Sequence, residues 1–155
     1  MSLPHDRISF TSDRIVDEPL FKFLVALEVQ KSQRLQYSVS VVYLNATVVG
    51  NGSTIAPLGQ RMIKHLRSTD VVFEFLPSSL AFLLIDAEGP SLPLIVNRLA
   101  EHLRGFVKEG ETLVWSAGGA SYPQTAGTAG ELLEQARKLM VRAKEDGGDR
   151  LYLAS

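Results

Sequence analysis

The amino-acid sequence predicts an α+β domain: one mostly antiparallel sheet with helices packed on it. Two observations carry this reading. Apolar residues recur at intervals of three and four in four separate segments, the mark of amphipathic helices. Between them lie β-branched and aromatic runs, two of which meet at a Pro-Ser-Ser corner in "VVFEFLPSSLAFLLI" (71–85), the pattern of a hairpin.

Taken in order, residues 1–17 are polar and aperiodic and read as a lead-in, leaving 18–155 as the domain proper. Leu20, Phe23, Leu24 and Leu27 repeat at helical spacing and predict a helix over about 18–33. "SVSVVYL" (38–44) is apolar on both faces and predicts a central strand, followed by a loop in the Gly/Asn/Ser stretch "VVGNGSTIAP" (48–57). Leu58, Met62 and Leu66 mark a second helix that stops near Arg67, and the hairpin supplies strands over about 71–76 and 80–85. Leu92, Ile95, Val96, Leu99 and Leu103 give a third helix, beginning near Pro90 or Pro93, where a first turn tolerates proline. "TLVWSAGGASYP" (112–123) is a strand expected to lose definition at its glycines. Thr128 and Glu131 form a capping box ahead of Leu132, Ala136, Leu139, Met140 and Ala143, and "RLYLA" (150–154) is a last short strand. The central β-α-β-β-α-β section is the ferredoxin-like arrangement of two split crossovers.

Composition narrows function mainly by exclusion. The chain has 155 residues, 45% hydrophobic and 21% charged, enough to bury one sizeable core. Its net charge of −1 creates no broad basic field for a nucleic-acid polymer or an anionic membrane. With no cysteine it has no disulfide or thiolate chemistry. The opening "MSLPHDRISF" has no apolar run of signal-peptide length, and no later run approaches the roughly 20 residues of a membrane span. A cytoplasmic location without membrane insertion is expected.

Candidate chemistry is sparse. His5, His65 and His102 are far apart in sequence, and none has a metal-ligating neighbour at helical spacing, so each reads as a surface or helix-flank residue. "GNGS" (50–53) lacks the lysine and serine of a phosphate loop, and "SAGGAS" (116–121) sits in a strand, where glycine marks a bulge or a close backbone approach. Arg67-x-x-Asp70 stands at the foot of the hairpin, but Arg14-x-x-Asp17 has the same spacing. Position has to distinguish them.

The tail, "SAGGASYPQTAGTAGELLEQARKLMVRAKEDGGDRLYLA" (116–154), resembles the end of a GGDEF (diguanylate cyclase) domain. In that family a strand ending S-I-G-V-A-x-Y-P precedes a capped helix with the pattern E-L-L-x-x-A-D-x-A-L-Y-x-A-K. Ser116, Tyr122, Pro123, Glu131, Leu132, Leu133, Ala136, Ala143 and Lys144 fall on matching positions. "DRISFTSDR" (6–14) is similar to the family's opening D-x-L-T-x-L-x-N-R, so the resemblance runs over about residues 6–154 and implies the palm-like sheet of polymerases and nucleotide cyclases.

The resemblance places "LPSSL" (76–80) where the family carries G-G-D/E-E-F. Leu76 and Pro77 then replace the glycines that admit the triphosphate, Ser78 replaces the metal-binding acid, and Ser79 follows it. The second metal ligand of the family lies in a D-x-D-x-F segment, which here reads Tyr43-Leu44-Asn45-Ala46-Thr47, with Tyr43 at the metal position and Asn45 after it. Neither a phenol nor a serine hydroxyl replaces anionic oxygen around magnesium, so no metal, cofactor or cyclase turnover is expected. Gly148 and Glu74 stand where the family usually has basic residues.

The family's inhibitory site for cyclic di-GMP carries Arg-x-x-Asp five residues before the signature. Arg67 and Asp70 occupy that register, and Arg98 falls where the family often completes the site from the following helix. The resemblance therefore implies a catalytically inactive receptor for cyclic di-GMP through Arg67, Asp70 and Arg98, serving other domains of a longer signalling protein. The alternative is a protein-interaction or dimerisation domain of the same fold, including a homodimer.

Overall fold

The computed structural model describes residues 14–50, 58–67, 69–75 and 78–155. Six strands form one sheet in the order β1-β3-β4-β2-β5-β6: β1 (Ile15–Val16), β2 (Val39–Val49), β3 (Val71–Phe75), β4 (Ser79–Ile85), β5 (Thr112–Tyr122) and β6 (Arg150–Leu153). The three inner pairings, β3 with β4, β4 with β2 and β2 with β5, are antiparallel. Each edge adds a parallel pairing, β1 with β3 and β6 with β5.

Helices cover both faces. Along β2 the alternation of side chains sends Val42, Leu44 and Ala46 to one face and Val39, Val41 and Tyr43 to the other. On the first face lie α2 (Leu58–Met62) and α3 (Leu92–Arg104), with Leu58, Met62, Leu92, Val96 and Leu103 packed against Leu80, Phe82 and Leu84 of β4. On the second lie α1 (Glu18–Leu35) and α4 (Ala129–Glu145), with Phe21, Val25, Leu132, Ala136 and Met140 packed against Ala81, Leu83 and Ala120. A sheet buried on both sides explains why β2 and β4 read as continuous apolar runs.

The expected α+β architecture is present, with four instructive differences. Ile15 and Val16 of the lead-in form an edge strand against Val72 and Phe73; two residues are too few to show a period. The periodic set Leu20, Phe23 and Leu27 lies on the outer side of α1, exposed by 44%, 61% and 37%, while Phe21, Val25 and Val29 face the core. The α1 sequence is apolar on two faces, so periodicity located the helix without choosing its inward side. The second helix is short, with α2 ending at Met62 and a 3-10 turn continuing over Ile63–His65. Finally, β5 runs unbroken through its glycines. A Cβ at Gly118 would lie 2.3 Å from the Ala136 carbonyl oxygen, so glycine there lets α4 seat on the sheet.

Local caps fix the helix ends. The Asp17 carboxylate accepts the Leu20 N–H (3.0 Å) at the start of α1. Thr128 Oγ1 accepts the Glu131 N–H (3.1 Å), while the Glu131 carboxylate turns back to the Gly127 N–H (3.1 Å). No helix among the described residues is long and apolar enough to cross a membrane.

Candidate ligand site at the foot of the hairpin

The β3–β4 hairpin has two chemically different ends. Its foot is where β3 begins and β4 finishes, and there Arg67, Asp70, Asp86 and Arg98 line one cavity of about 270 Å³, with His65 and Ile95 on its walls. Three elements bring them together: the turn after the 3-10 segment supplies Arg67 and Asp70, the end of β4 supplies Asp86, and α3 supplies Arg98.

Asp70 is the structural centre of this foot. It is buried, and its carboxylate accepts the Arg67 N–H through Oδ2 (3.0 Å) and the Ile85 N–H through Oδ1 (3.4 Å). The half-exposed Arg67 guanidinium lies 3.6 Å from Asp70 Oδ2 as an ion pair and donates a hydrogen bond to the Ile85 carbonyl. From the other side Arg14 donates to the Asp70 carbonyl (3.2 Å) and to the Arg67 carbonyl. The second Arg-x-x-Asp pair thus has its own use: Asp17 caps α1 and Arg14 clasps the Arg67–Asp70 turn.

The opposite lip is equally fixed. Asp86 adopts a positive φ of 59°, and its N–H donates to the Ser38 carbonyl (2.7 Å). The buried Ser40 hydroxyl donates to the Ala87 carbonyl (2.6 Å) and sits 2.7 Å from the Ser121 hydroxyl, tying this turn to β2 and β5. Asp86 and Arg98 are exposed, and Arg98 has no ion-pair or hydrogen-bond partner among the described residues. The cavity therefore offers two guanidinium groups and one accessible carboxylate on a rigid frame.

At the hairpin's other end the polar groups are consumed internally. Asn45 Nδ2 donates to Ser79 Oγ (2.9 Å), and the Ala46 N–H donates to the Ser78 carbonyl (2.9 Å). Tyr43 is buried, with its ring edge-on to Phe75 at 5.8 Å; burial, followed by the nearby Glu18 carboxylate, raises its phenol pKa above the ordinary tyrosine value. Both Glu74 oxygens accept backbone N–H groups at the start of α2, those of Leu58 and Gly59, each at 3.0 Å. Leu76 and Pro77 lie outside the described residues, as do Asn51, Gly52 and Ser53.

No family model matches the sequence, and no curated protein does. Solved structures match throughout the fold. A truncated form of TpbB (YfiN) from Pseudomonas aeruginosa, comprising only its GGDEF domain, superimposes with a TM-score of 0.77 at 19% identity, over 95% of this chain and 93% of that one. The fold is that of a GGDEF domain. The GGDEF domain of DgcB from Caulobacter crescentus, in complex with c-di-GMP, gives a TM-score of 0.74 at 8% identity, covering 90% of this chain and 91% of that one. A microbial GGDEF domain described for its interaction with cyclic di-GMP gives 0.67 at 19% identity, covering 89% and 90%. At such identities the likeness is one of fold.

Within this GGDEF-type fold, two features of the foot escaped sequence reasoning. Asp86 sits in "LIDAEG", where an acid after a strand reads as a solvated turn; only the sheet brings it opposite Arg67. His65 and His102, read separately as surface residues, are in contact, with ring centroids 3.5 Å apart and Nε2 atoms 2.6 Å apart. Burial, with the adjoining His102 and Lys64, lowers the His65 pKa. Gly148 has a φ of 78°, and a Cβ there would meet Val114 Cγ1 at 2.5 Å, so local packing requires glycine at that turn.

Proposed function

We propose that this chain is a non-catalytic GGDEF-like signalling domain that receives cyclic di-GMP at the foot of the β3–β4 hairpin. The observation that carries the reading is the convergence of Arg67, Asp86 and Arg98 on one cavity, over a turn held by Asp70. Guanine presents O6 and N7 as acceptors and N1–H and N2–H as donors. A guanidinium fork suits the first pair or a phosphate, and a carboxylate suits the second. Two arginines facing two aspartates leave the cavity without a net excess of positive charge, which favours a base edge over a bare phosphate.

Distinct roles follow from this reading. A cavity of about 270 Å³ has room for one guanine rather than a whole cyclic dinucleotide, so the second half of the ligand lies over the surface near Arg98. Asp70 is already committed to backbone donors, so it acts by positioning Arg67, and Asp86 is the carboxylate open to the ligand. Charge-assisted bonds of roughly 1.5–3 kcal/mol each support micromolar binding, about −8 kcal/mol, after association costs.

Lack of turnover is the companion proposal, and it rests on residue identity. Tyr43, Asn45, Ser78 and Ser79 supply no carboxylate where the family holds its metal, and the Asn45 amide is bonded to Ser79. Isothermal titration with cyclic di-GMP tests the receptor reading. Saturable one-site binding, lost in Arg67→Ala and weakened in Arg98→Ala and Asp86→Asn, is expected; no heat at about 100 μM ligand would reject it. The exposed stripe Leu20, Phe23 and Leu27 on α1 supports a second reading, a protein-interaction or dimerisation domain, which concentration-dependent sedimentation without ligand would reveal.

A further inference from the structure

We infer that His65 and His102 form a site for one late first-row divalent cation, such as Zn²⁺, Ni²⁺ or Cu²⁺, at the rim of the foot cavity. The two imidazoles come from different elements, His65 from the end of the 3-10 turn and His102 from the last turn of α3. Their Nε2 atoms are 2.6 Å apart, yet the ring centroids are separated by only 3.5 Å, with planes inclined at 53°. Rings joined tip to tip by an N–H···N bond would have their centroids separated by the nitrogen gap plus both ring radii. The 3.5 Å separation and 53° tilt make this a bent contact rather than a linear one, in which the two nitrogens share one proton whose donor depends on the tautomer.

A cation would take the place of that shared proton, which is released to solvent or moves to Nδ1, so that both Nε2 atoms become donors. Two imidazole nitrogens at zinc's usual bond length and tetrahedral angle are about 3.3 Å apart, so chelation needs only a small parting of the rings. Phe106 packs edge-on against His102 at 5.1 Å and helps to hold that ring. Arg67 and Arg98 share the cavity with the carboxylates of Asp70 and Asp86, and Lys64 and Glu101 adjoin the two histidines in sequence; the donors that face each other are two neutral nitrogens, which favour the metals that prefer imidazole over oxygen-seeking magnesium or calcium. No group of three or more His, Cys, Asp or Glu suited to a metal occurs among the described residues, so two protein nitrogens and water make up the site.

His102 lies one helical turn beyond Arg98, and His65 lies two residues before Arg67. A bound cation would therefore clamp the 3-10 turn to α3 across the mouth of the cavity. The test uses the full chain stripped of metal and needs no dinucleotide, so its failure and that of the receptor reading are separable. Isothermal titration with Zn²⁺ or Ni²⁺ should show one ion per chain, with affinity falling at least about tenfold in both His65→Gln and His102→Gln and unchanged in His5→Gln. Electron paramagnetic resonance of the Cu²⁺ form of the unaltered protein should show two coordinating nitrogens, a result independent of whether either variant folds. No saturable binding below about 1 mM, a single nitrogen, or full affinity in either variant would overturn the assignment.

Discussion

The two ends of the β3–β4 hairpin are built from the same strands and differ in where their polar groups go. At the corner, Asn45 bonds Ser79, Glu74 bonds the start of α2, and Tyr43 is buried under Phe75. At the foot, Asp70 is spent on the backbone but Arg67, Asp86 and Arg98 remain at the surface of a cavity. A site needs polar groups that the fold holds in place without exhausting, and of the two ends, among the described residues, the foot has them.

The largest effect is expected from introducing an acid at Tyr43. Tyr43→Asp exchanges a buried ring for a buried carboxylate and should cost about 3–5 kcal/mol in urea unfolding, with no cyclic di-GMP formed from GTP and magnesium. Near-normal stability or measurable product would break the contrast between the ends. Asp70→Ala comes next: it leaves the Arg67 and Ile85 N–H groups without their acceptor and should cost about 2–3 kcal/mol while also abolishing dinucleotide heat. Asp70→Asn, which keeps an acceptor, should lose less of both. Glu74→Ala removes the acceptor for Leu58 and Gly59 and should cost about 1–2 kcal/mol with ligand affinity unchanged, because its role is confined to the corner and α2.

The smallest effects are in pH dependence, and the two ends should differ in direction. His65 has a lowered pKa, so below the ordinary histidine value the unfolded chain binds more protons than the folded one. Its contribution is present above that value and is lost as pH falls, a slope that His65→Gln should flatten in thermal unfolding. Tyr43 has a raised pKa, so its contribution is present below the ordinary tyrosine value and is lost as pH rises beyond it. An alkaline slope unchanged in Tyr43→Phe would contradict the burial assigned to the corner.

Much of this was legible in the sequence because the signals are local. The Thr128 cap, the apolar runs of β2 and β4 and the corner at Ser78 each depend on neighbours a few residues away. Arg67 and Asp70 were found through the register of a resembled motif, yet their division of labour was not: that Asp70 is the anchor and Asp86 the exposed acid follows from burial. The inward side of α1 was likewise undetermined, since both its stripes are apolar and only contact with Phe73 and Val41 selects Phe21 and Val25.

The sequence by itself determined most of the elements, their order and the absence of a carboxylate at Tyr43 and Ser78, because periodicity, capping and residue identity are properties of short segments. The tertiary structure alone decided that Arg14 clasps the Arg67 turn, that Asp86 faces it, and that two distant histidines touch, and it brought Arg98 to the cavity where the resembled motif had placed it. The sheet order β1-β3-β4-β2-β5-β6 and α3 on its face bring those residues together, and burial of apolar surface, rather than any local preference, drives that packing.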